Sequence, residues 1–202
     1  MASVTDEVKY MGYYPIEKKG VITPPKNGTN TVSAVATAIY LSKEHRPGPL
    51  KYSEVTDYLT RTGEVLSDYE FAMVIRDPID RLVSMINYRN NFNAGGSVSP
   101  SDFETAMSRS YNEPETHLYK PQTYYWHPKY DPPIRIFTSV QGIVEWMGWP
   151  SDKPVPRENV GPKLWSKERI MDHKHFNALI ALYDADLELP FNCNKSKVKQ
   201  RA

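Results

Sequence analysis

The sequence ITPPKNGTNT, at residues 22–31, is the stretch from which the rest of the chain can be interpreted. It leaves an apolar segment, passes a lysine and a glycine, and enters a helix whose apolar residues recur at steps of three and one. A loop before a helix offers unpaired backbone N–H groups and the positive end of the helix dipole to an anion. Gly28 allows the backbone to approach a ligand closely, Lys26 adds a cation, and the threonines at 29 and 31 add hydroxyls. The stretch therefore predicts a phosphate-binding loop, with an ordinary strand, turn and helix cap as the alternative.

A second stretch of the same kind is FAMVIRDPIDRLVS, at residues 71–84. Its uniformly apolar start is typical of a central parallel strand, and Asp77 followed by proline suits the N-cap and first position of a helix. Arg81 and Ser84 are three residues apart on that helix, and Arg76 leaves the strand just before it, so these side chains are predicted to converge on one phosphate. Two phosphate sites indicate one ligand with two phosphate groups.

These residues resemble the sulfotransferases that use 3′-phosphoadenosine 5′-phosphosulfate (PAPS). Residues 25–29, PKNGT, are similar to the family's 5′-phosphosulfate loop, and residues 74–84 are similar to its 3′-phosphate motif, R-D-P-x-x-R-x-x-S. HLYKPQ at 117–122 and LYDADL at 182–187 resemble segments of the carbohydrate-type branch. The resemblance extends from about residue 20 to 190, dense at two motifs and thin between them. One departure is Asn27, where the family more often has serine or threonine; a second is the Thr-Ser pair at 138–139, where that branch often has an acidic residue.

The resemblance implies a P-loop-like sulfotransferase fold, PAPS as cofactor, the product nucleotide 3′-phosphoadenosine 5′-phosphate (PAP), and no metal. A basic loop near residues 157–163 would fold over the nucleotide in that family, although a solvated loop is the ordinary interpretation. The implied nucleotide-binding residues are Pro25, Lys26, Asn27, Gly28, Thr29, Asn30, Thr31, Arg76, Arg81, Ser84, Arg157, Asn159 and Lys163.

The catalytic residue expected first is Lys26, because sulfuryl transfer needs positioning and stabilisation of the negative charge on the leaving phosphate. An acceptor hydroxyl must also lose a proton to a general base. His117, in the segment that resembles the family, is favoured slightly over His45, in the loop after the first helix, and Glu44 is a weaker candidate. A structural hydrogen bond is the alternative role for either histidine.

Composition limits the other classes of function. A chain of 202 residues with 40% apolar content suits one domain, which we place at 1–192, followed by a basic tail at 193–202 that is predicted to be disordered. The 25 basic and 24 acidic residues argue against a nucleic-acid partner or a charged membrane surface. A single cysteine, Cys193, and the lack of a signal peptide or membrane span predict a cytoplasmic protein, in the host cytoplasm if the source is viral or phage.

The predicted architecture is α/β. Strand-to-helix units near residues 20, 71 and 134 indicate a parallel sheet flanked by helices on both faces, with ligand at the carboxyl ends of the strands. The pattern at 52–59 leans helical, and a final helix is predicted to carry one apolar face. That face consists of Phe176, Leu179, Ile180, Tyr183 and Leu187.

A tyrosine- and proline-rich segment at 111–133 has two interpretations. Its rings can pack as core, pinned by the prolines, or they can form a stacking surface for a sugar or phenol ring. Acceptor pockets are built from variable loops, so the sequence does not name the acceptor, for which a small molecule or a carbohydrate is the expected class. It also does not indicate an oligomeric state.

Two rival functions bear on the same loop. A P-loop NTPase needs a lysine after the second glycine of G-x-x-x-x-G-K-[ST], whereas Lys26 precedes Gly28, so the residue order argues against this class. A protein that binds PAP or PAPS without catalysis remains the alternative, and Asn27 is the residue that favours it.

Overall fold

The computed structural model describes residues 13–14, 18–40, 51–93, 102–112, 120–156 and 164–190, and all structural statements below concern these ranges. The strands are β1 (Tyr13–Tyr14), β2 (Lys19–Ile22), β3 (Glu70–Val74) and β4 (Arg135–Phe137). The helices are α1 (Thr29–Tyr40), α2 (Tyr52–Arg61), α3 (Pro78–Asn93), α4 (Asp102–Asn112), α5 (Val140–Trp146), α6 (Lys167–Met171) and α7 (Phe176–Ala181). Short 3-10 turns lie at Leu66–Asp68, Gln122–Tyr124 and Asp184–Glu188.

The strands form one sheet in the order β1-β2-β3-β4. β2 pairs with β3 in parallel, with Val21 opposite Ala72, and β3 pairs with β4 in parallel, with Met73 opposite Ile136. β1 adds an antiparallel edge. The predicted α/β architecture with a parallel sheet is therefore confirmed, and the carboxyl ends of β2, β3 and β4 meet at one edge of the sheet.

Helices cover both faces of this sheet, as predicted. Alternate strand residues Val21, Ala72 and Val74 face α1 and α5, in one buried cluster. The members of that cluster outside the sheet are Val32, Val35 and Ala36 of α1, Ile143 and Val144 of α5, and Met147 directly after α5. The opposite face is covered by α2 and by the segment after residue 120, which contributes the rings of Tyr125 and Trp126. Its central members are Ile22, Met73, Ile75, Tyr125, Trp126 and Leu189. Burial on both faces explains why β3 is apolar from Phe71 to Val74.

A separate apolar cluster holds α3, α4, α6 and α7 together beside the sheet. Its buried members are Leu82, Met85, Ile86, Phe103, Ala106, Met107, Trp165, Ile170, Phe176, Leu179 and Tyr183. Asn87 joins α3 to the chain before α6, because its amide accepts from the backbone N of Trp165 at 2.9 Å and donates to the backbone O of Trp165 at 3.1 Å. This cluster holds α3 beside the sheet. α3 begins at Pro78, near the edge where the strands end.

The start of α3 follows the sequence pattern. Asp77 Oδ1 accepts from the backbone N of Ile79 and of Asp80, both at 3.0 Å, so Asp77 is the predicted N-cap. The helix predicted at 52–59 is also confirmed, as α2.

The predicted final helix is wrong beyond Ala181. α7 ends there, and a turn leads into the 3-10 segment that contains Asp186 and Leu187. Leu187, expected on the apolar face, is 69% exposed, whereas Asp186 is fully buried. The helix ends early because the Asp186 carboxylate accepts hydrogen bonds from Gln122 and Thr123. A continuous helix would place this carboxylate elsewhere.

Within the described ranges, no helix is both long and apolar enough to cross a bilayer.

Candidate anion-binding site

The loop between β2 and α1 has an unusual backbone. Lys26 adopts φ 69° and Gly28 adopts φ 88°, so both lie in the left-handed region. A glycine tolerates this conformation, whereas it costs a lysine about 1 kcal/mol or more. A Cβ added at Gly28 would also collide with Cγ2 of Val140, at the start of α5. The loop therefore needs glycine at position 28 for two reasons, and it holds Lys26 in strain.

The first turn of α1 leaves donors without protein partners. Val32 N donates to Gly28 O at 2.9 Å, but the backbone N–H groups of residues 28–31 meet no acceptor among the described residues. The Thr29 hydroxyl turns towards the loop instead, 3.3 Å from the carbonyl O of Thr23 and 3.4 Å from that of Pro24. Such N–H groups, together with the helix dipole, favour an anion.

Two cations meet at this sheet edge. Arg76, which follows β3, donates from Nη1 to the backbone O of Lys26 at 3.3 Å. Burial of Lys26, and next the positive charge of Arg76, lower the pKa of Lys26 to about 8. Its Nζ lies 3.6 Å from the centre of the Tyr88 ring. In the described part of the chain no carboxylate forms a salt bridge with either cation. The arrangement favours a bound anion, which would relieve the repulsion.

Arg81 does not share this exposed position. Its side chain is fully buried, Nε donates to the backbone O of Pro25 at 3.0 Å, and the guanidinium lies 5.1 Å from the centre of the Tyr183 ring. The three side chains predicted to converge on one phosphate, those of Arg76, Arg81 and Ser84, therefore lie in different environments. Arg76 is exposed and Ser84 is half-buried, while Arg81 supports the loop from beneath.

Asn27 also faces the interior. It is 2% exposed, and its Nδ2 donates to the backbone O of Val74 at 2.9 Å and to Oε1 of Gln122 at 2.5 Å. The residue at which the sequence departs from the sulfotransferase pattern therefore joins the loop to the end of β3. Its Oδ1 and the hydroxyl of Thr23 are buried and lack a hydrogen-bond partner within the described residues.

Gln122 connects these parts and was not predicted as a site residue. Its Oε1 accepts from the backbone N of Arg76 at 2.8 Å, and its Nε2 donates to the backbone O of Arg76 at 2.9 Å and to Oδ2 of Asp186 at 3.1 Å. The sequence signal was present only in the resemblance of HLYKPQ and LYDADL to family segments. Nothing in the periodicity indicated that Gln122 and Asp186 meet.

The described part of the tyrosine-rich segment contains both buried and exposed rings. Tyr125 and Trp126 are buried in the core against the sheet, whereas Tyr124 and Tyr130 are 42% and 74% exposed. Lys51 Nζ lies 4.0 Å from the centre of the exposed Tyr124 ring.

Several predicted residues lie outside the described ranges. They are His45, His117, Glu44, Arg157, Asn159, Lys163 and the tail 193–202. Two described histidines pair with carboxylates away from this loop: His127 with Glu188 at 3.3 Å and His173 with Glu104 at 3.0 Å. The ring of a third, His175, stacks on Tyr111.

The chain was compared with protein-family models, with curated proteins and with solved structures, and none of them matches it. Among the described residues, no group of three or more His, Cys, Asp or Glu side chains is placed to hold a metal ion.

Proposed function

We propose that the chain is a PAPS-dependent sulfotransferase with a P-loop-like sulfotransferase fold. It would move a sulfuryl group to a hydroxyl or amine of an acceptor, with a carbohydrate as one candidate. The observation that carries the proposal is the pair of cations, Lys26 and Arg76, at the carboxyl ends of two adjacent parallel strands and beside the open first turn of α1. Open α/β sheets bind ligands at this edge.

The donors present fit a nucleotide with two phosphate groups. The free N–H groups of residues 28–31 and the Lys26 ammonium suit the 5′-phosphosulfate, and Arg76 with Ser84 suits the 3′-phosphate. Neighbouring strands lie about 4.8 Å apart, so residues that follow β2 and β3 can serve two ends of one ligand. Arg81 contributes through the loop backbone at Pro25.

Each residue then has a defined chemical task. PAPS supplies a sulfuryl group on a good leaving group; the acceptor oxygen bonds to sulfur, and the bond from sulfur to the 5′-phosphate oxygen breaks. Protonated Lys26 stabilises the charge that develops on that phosphate oxygen, while the first turn of α1 holds the phosphate in place. The acceptor proton passes to a base, for which His117 and His45 remain the candidates.

A thermal unfolding experiment with PAP tests the nucleotide site. A ligand present at about a hundred times its dissociation constant adds about 2.7 kcal/mol to the free energy of unfolding, so the midpoint should rise clearly. Adenosine 5′-phosphosulfate and ATP, which lack the 3′-phosphate, should shift it much less. The matched variant is Arg76→Ala, whose own midpoint should respond weakly to PAP. Equal midpoints with and without saturating PAP would overturn the proposal.

Turnover distinguishes an enzyme from a binding protein. The inward-facing Asn27 side chain leaves the loop without the hydroxyl that the family usually presents, and this favours binding without catalysis as the second candidate. Incubation with PAPS and pooled sugars, phenols, peptides and metabolites, followed by mass spectrometry, should reveal a sulfate adduct. Lys26→Ala should lower turnover more than PAP affinity. Tight PAP binding with no adduct on any pool would instead assign the binding role.

A further inference from the structure

A chain of buried side-chain hydrogen bonds lies beneath the anion site. Asn27, Gln122 and Asp186 are 2%, 0% and 0% exposed. They come from the β2–α1 loop, the turn after residue 120, and the 3-10 segment after α7. Asn27 donates to Gln122, Gln122 donates to Asp186, and Asp186 Oδ1 also accepts from the backbone N of Thr123 at 3.1 Å. Three distant parts of the sequence thus meet under the two cations.

Asp186 and the backbone of Arg76 together fix the direction of the bonds that Gln122 makes. An ionised carboxylate only accepts hydrogen bonds, so the Gln122 amide must turn Nε2 towards it. Gln122 Oε1 then faces the two donors on the other side, Arg76 N at 2.8 Å and Asn27 Nδ2 at 2.5 Å. A reversed amide would place N–H against N–H at both contacts, which costs the desolvation of buried donors.

We propose that Gln122 and Asp186 are positioning residues that hold the Lys26 loop and the Arg76 backbone in register for anion binding. Gln122 is the only described side chain that binds both the loop, through Asn27, and the backbone N and O of Arg76. Asp186 acts through Gln122. The proposal deepens the proposed function, on which its PAP measurements rest, and its second measurement needs no ligand.

Asp186 lies in the interior, where polar contacts hold it. Burial raises the pKa of Asp186 above its ordinary value, and the bonds from Thr123 and Gln122, together with the nearby charge of Arg81, offset only part of that rise. A carboxylate placed in the interior is unfavourable unless its bonds are satisfied. An apolar residue would fill the same place more simply if only packing were needed.

The decisive experiment exchanges the charge between the two residues. Asp186→Asn replaces one of the two acceptor oxygens at position 186 by an NH₂ donor. This donor then faces another donor, either Thr123 N or Gln122 Nε2. Gln122→Glu alone places two carboxyl groups at a contact of 3.1 Å. In the double variant, the amide introduced at position 186 can donate to the carboxylate introduced at position 122, which still accepts from Arg76 N and Asn27, so the repulsion between two carboxyl groups is removed. The bond from position 122 to the backbone O of Arg76 stays lost, because a carboxylate has no donor. Each single variant should weaken PAP binding by about tenfold or more, and the double variant should recover part of the loss seen in Gln122→Glu.

A ligand-free measurement reads the loop directly. Competitive labelling of amines across pH, followed by mass spectrometry of the Lys26 peptide, gives the pH midpoint of that amine. The midpoint should lie near pH 8 in the wild type, since the Lys26 pKa is about 8. If the loop and Arg76 separate, the midpoint should rise by about one pH unit or more towards the ordinary lysine value. The groups that face this amine are Arg76 and Tyr88.

A control separates positioning from general stability. Ile170→Val, in the helical core around α3, should destabilise the protein without changing PAP affinity or the Lys26 midpoint. Recovery in the double variant relative to Gln122→Glu supports the proposal, and the Lys26 midpoint of Asp186→Asn keeps it testable if Gln122→Glu fails to fold. Unchanged midpoints in the single variants, equal changes in Ile170→Val, or a double variant no better than Gln122→Glu would overturn it. A wild type that does not bind PAP would overturn the proposed function, while the Lys26 midpoint would still decide this inference.

Discussion

The lowered pKa of Lys26 predicts that PAP affinity depends on pH in a range where phosphates no longer titrate. The folded-state pKa of about 8 lies below the ordinary lysine value because of burial and the Arg76 charge. Free protein therefore carries protonated Lys26 in about 90% of molecules at pH 7 and in about 10% at pH 9. A bound phosphate favours the ammonium and raises the pKa again. PAP affinity should thus fall about tenfold from pH 7 to pH 9, or by about 1.4 kcal/mol.

Calorimetry provides the assay, because binding must take up a proton wherever free Lys26 is neutral. Titrations of PAP in two buffers with different ionisation enthalpies give the number of protons taken up. The expected values are about 0.1 at pH 7, about 0.5 at pH 8 and about 0.9 at pH 9. Phosphate monoesters have a second pKa near 6, so PAP itself contributes little above pH 7. Turnover should fall over the same range, since only the protonated amine can stabilise the leaving phosphate.

Two variants separate Lys26 from any other titrating group. Lys26→Met should bind PAP more weakly and with an affinity that is independent of pH between 7 and 9. Lys26→Arg keeps a cation that does not titrate in this range, so it should bind at pH 9 as well as at pH 7. A wild-type affinity that stays constant from pH 7 to pH 9 would refute the reasoning. The same slope in wild type and Lys26→Met would refute it equally.

Other substitutions test the parts that support or complete the site. Arg81→Met should lower the free energy of unfolding by about 1–3 kcal/mol in urea denaturation, because the loop carbonyl that Arg81 binds loses its donor; no loss would mean that the contact does not stabilise the loop. Gly28→Ala should destabilise the protein, and adding Val140→Ala should relieve the collision but leave about 1–2 kcal/mol from the left-handed backbone; full recovery would contradict the backbone argument. His117 and His45 are the two candidates for the general base, and replacement of the true base by glutamine should reduce turnover at saturating PAPS about 10²- to 10⁴-fold with PAP affinity intact; losses of only a few fold in both variants would exclude both residues.

The sequence predicted well those parts of the fold in which the apolar pattern agrees with the residues that mark the start or end of an element. β3 is apolar from Phe71 to Val74, and Asp77 with the following proline marks the start of α3, so both are found where expected. The loop at 23–28 was also found at the predicted sheet edge, because a strand that leads into a helix in a parallel sheet leaves little choice of position. These features depend on local sequence and on one topological rule.

The parts that sequence did not predict depend on buried polar contacts between distant segments. The apolar periodicity predicted that Leu187 is buried and predicted nothing for Asp186. In the structure Leu187 is exposed and Asp186 is buried. Arg81 fits a ligand motif equally well whether its guanidinium binds a phosphate or a backbone carbonyl, and only the structure shows the carbonyl. Hydrophobic patterns carry no information about which buried donor finds which acceptor. The hydrogen bonds that Gln122 makes to Asn27, Arg76 and Asp186 could therefore not be predicted from periodicity.

The free energy stored at Lys26 links the structure of the loop to its proposed role. The lowered pKa corresponds, after a discount for solvent screening of a partly exposed amine, to about 2 kcal/mol by which the free fold disfavours the ammonium. The left-handed backbone adds about 1 kcal/mol or more. Asparagine or glycine at this position would tolerate the backbone and avoid the charge, so packing alone does not explain a lysine. Strain of this kind is found where a site is organised before its ligand arrives. A bound anion that restores the ordinary pKa would recover the same 2 kcal/mol, which is about thirtyfold in affinity. The ammonium is thus less favourable in the free loop than with an anion beside it, which is the property that the proposed PAPS site requires.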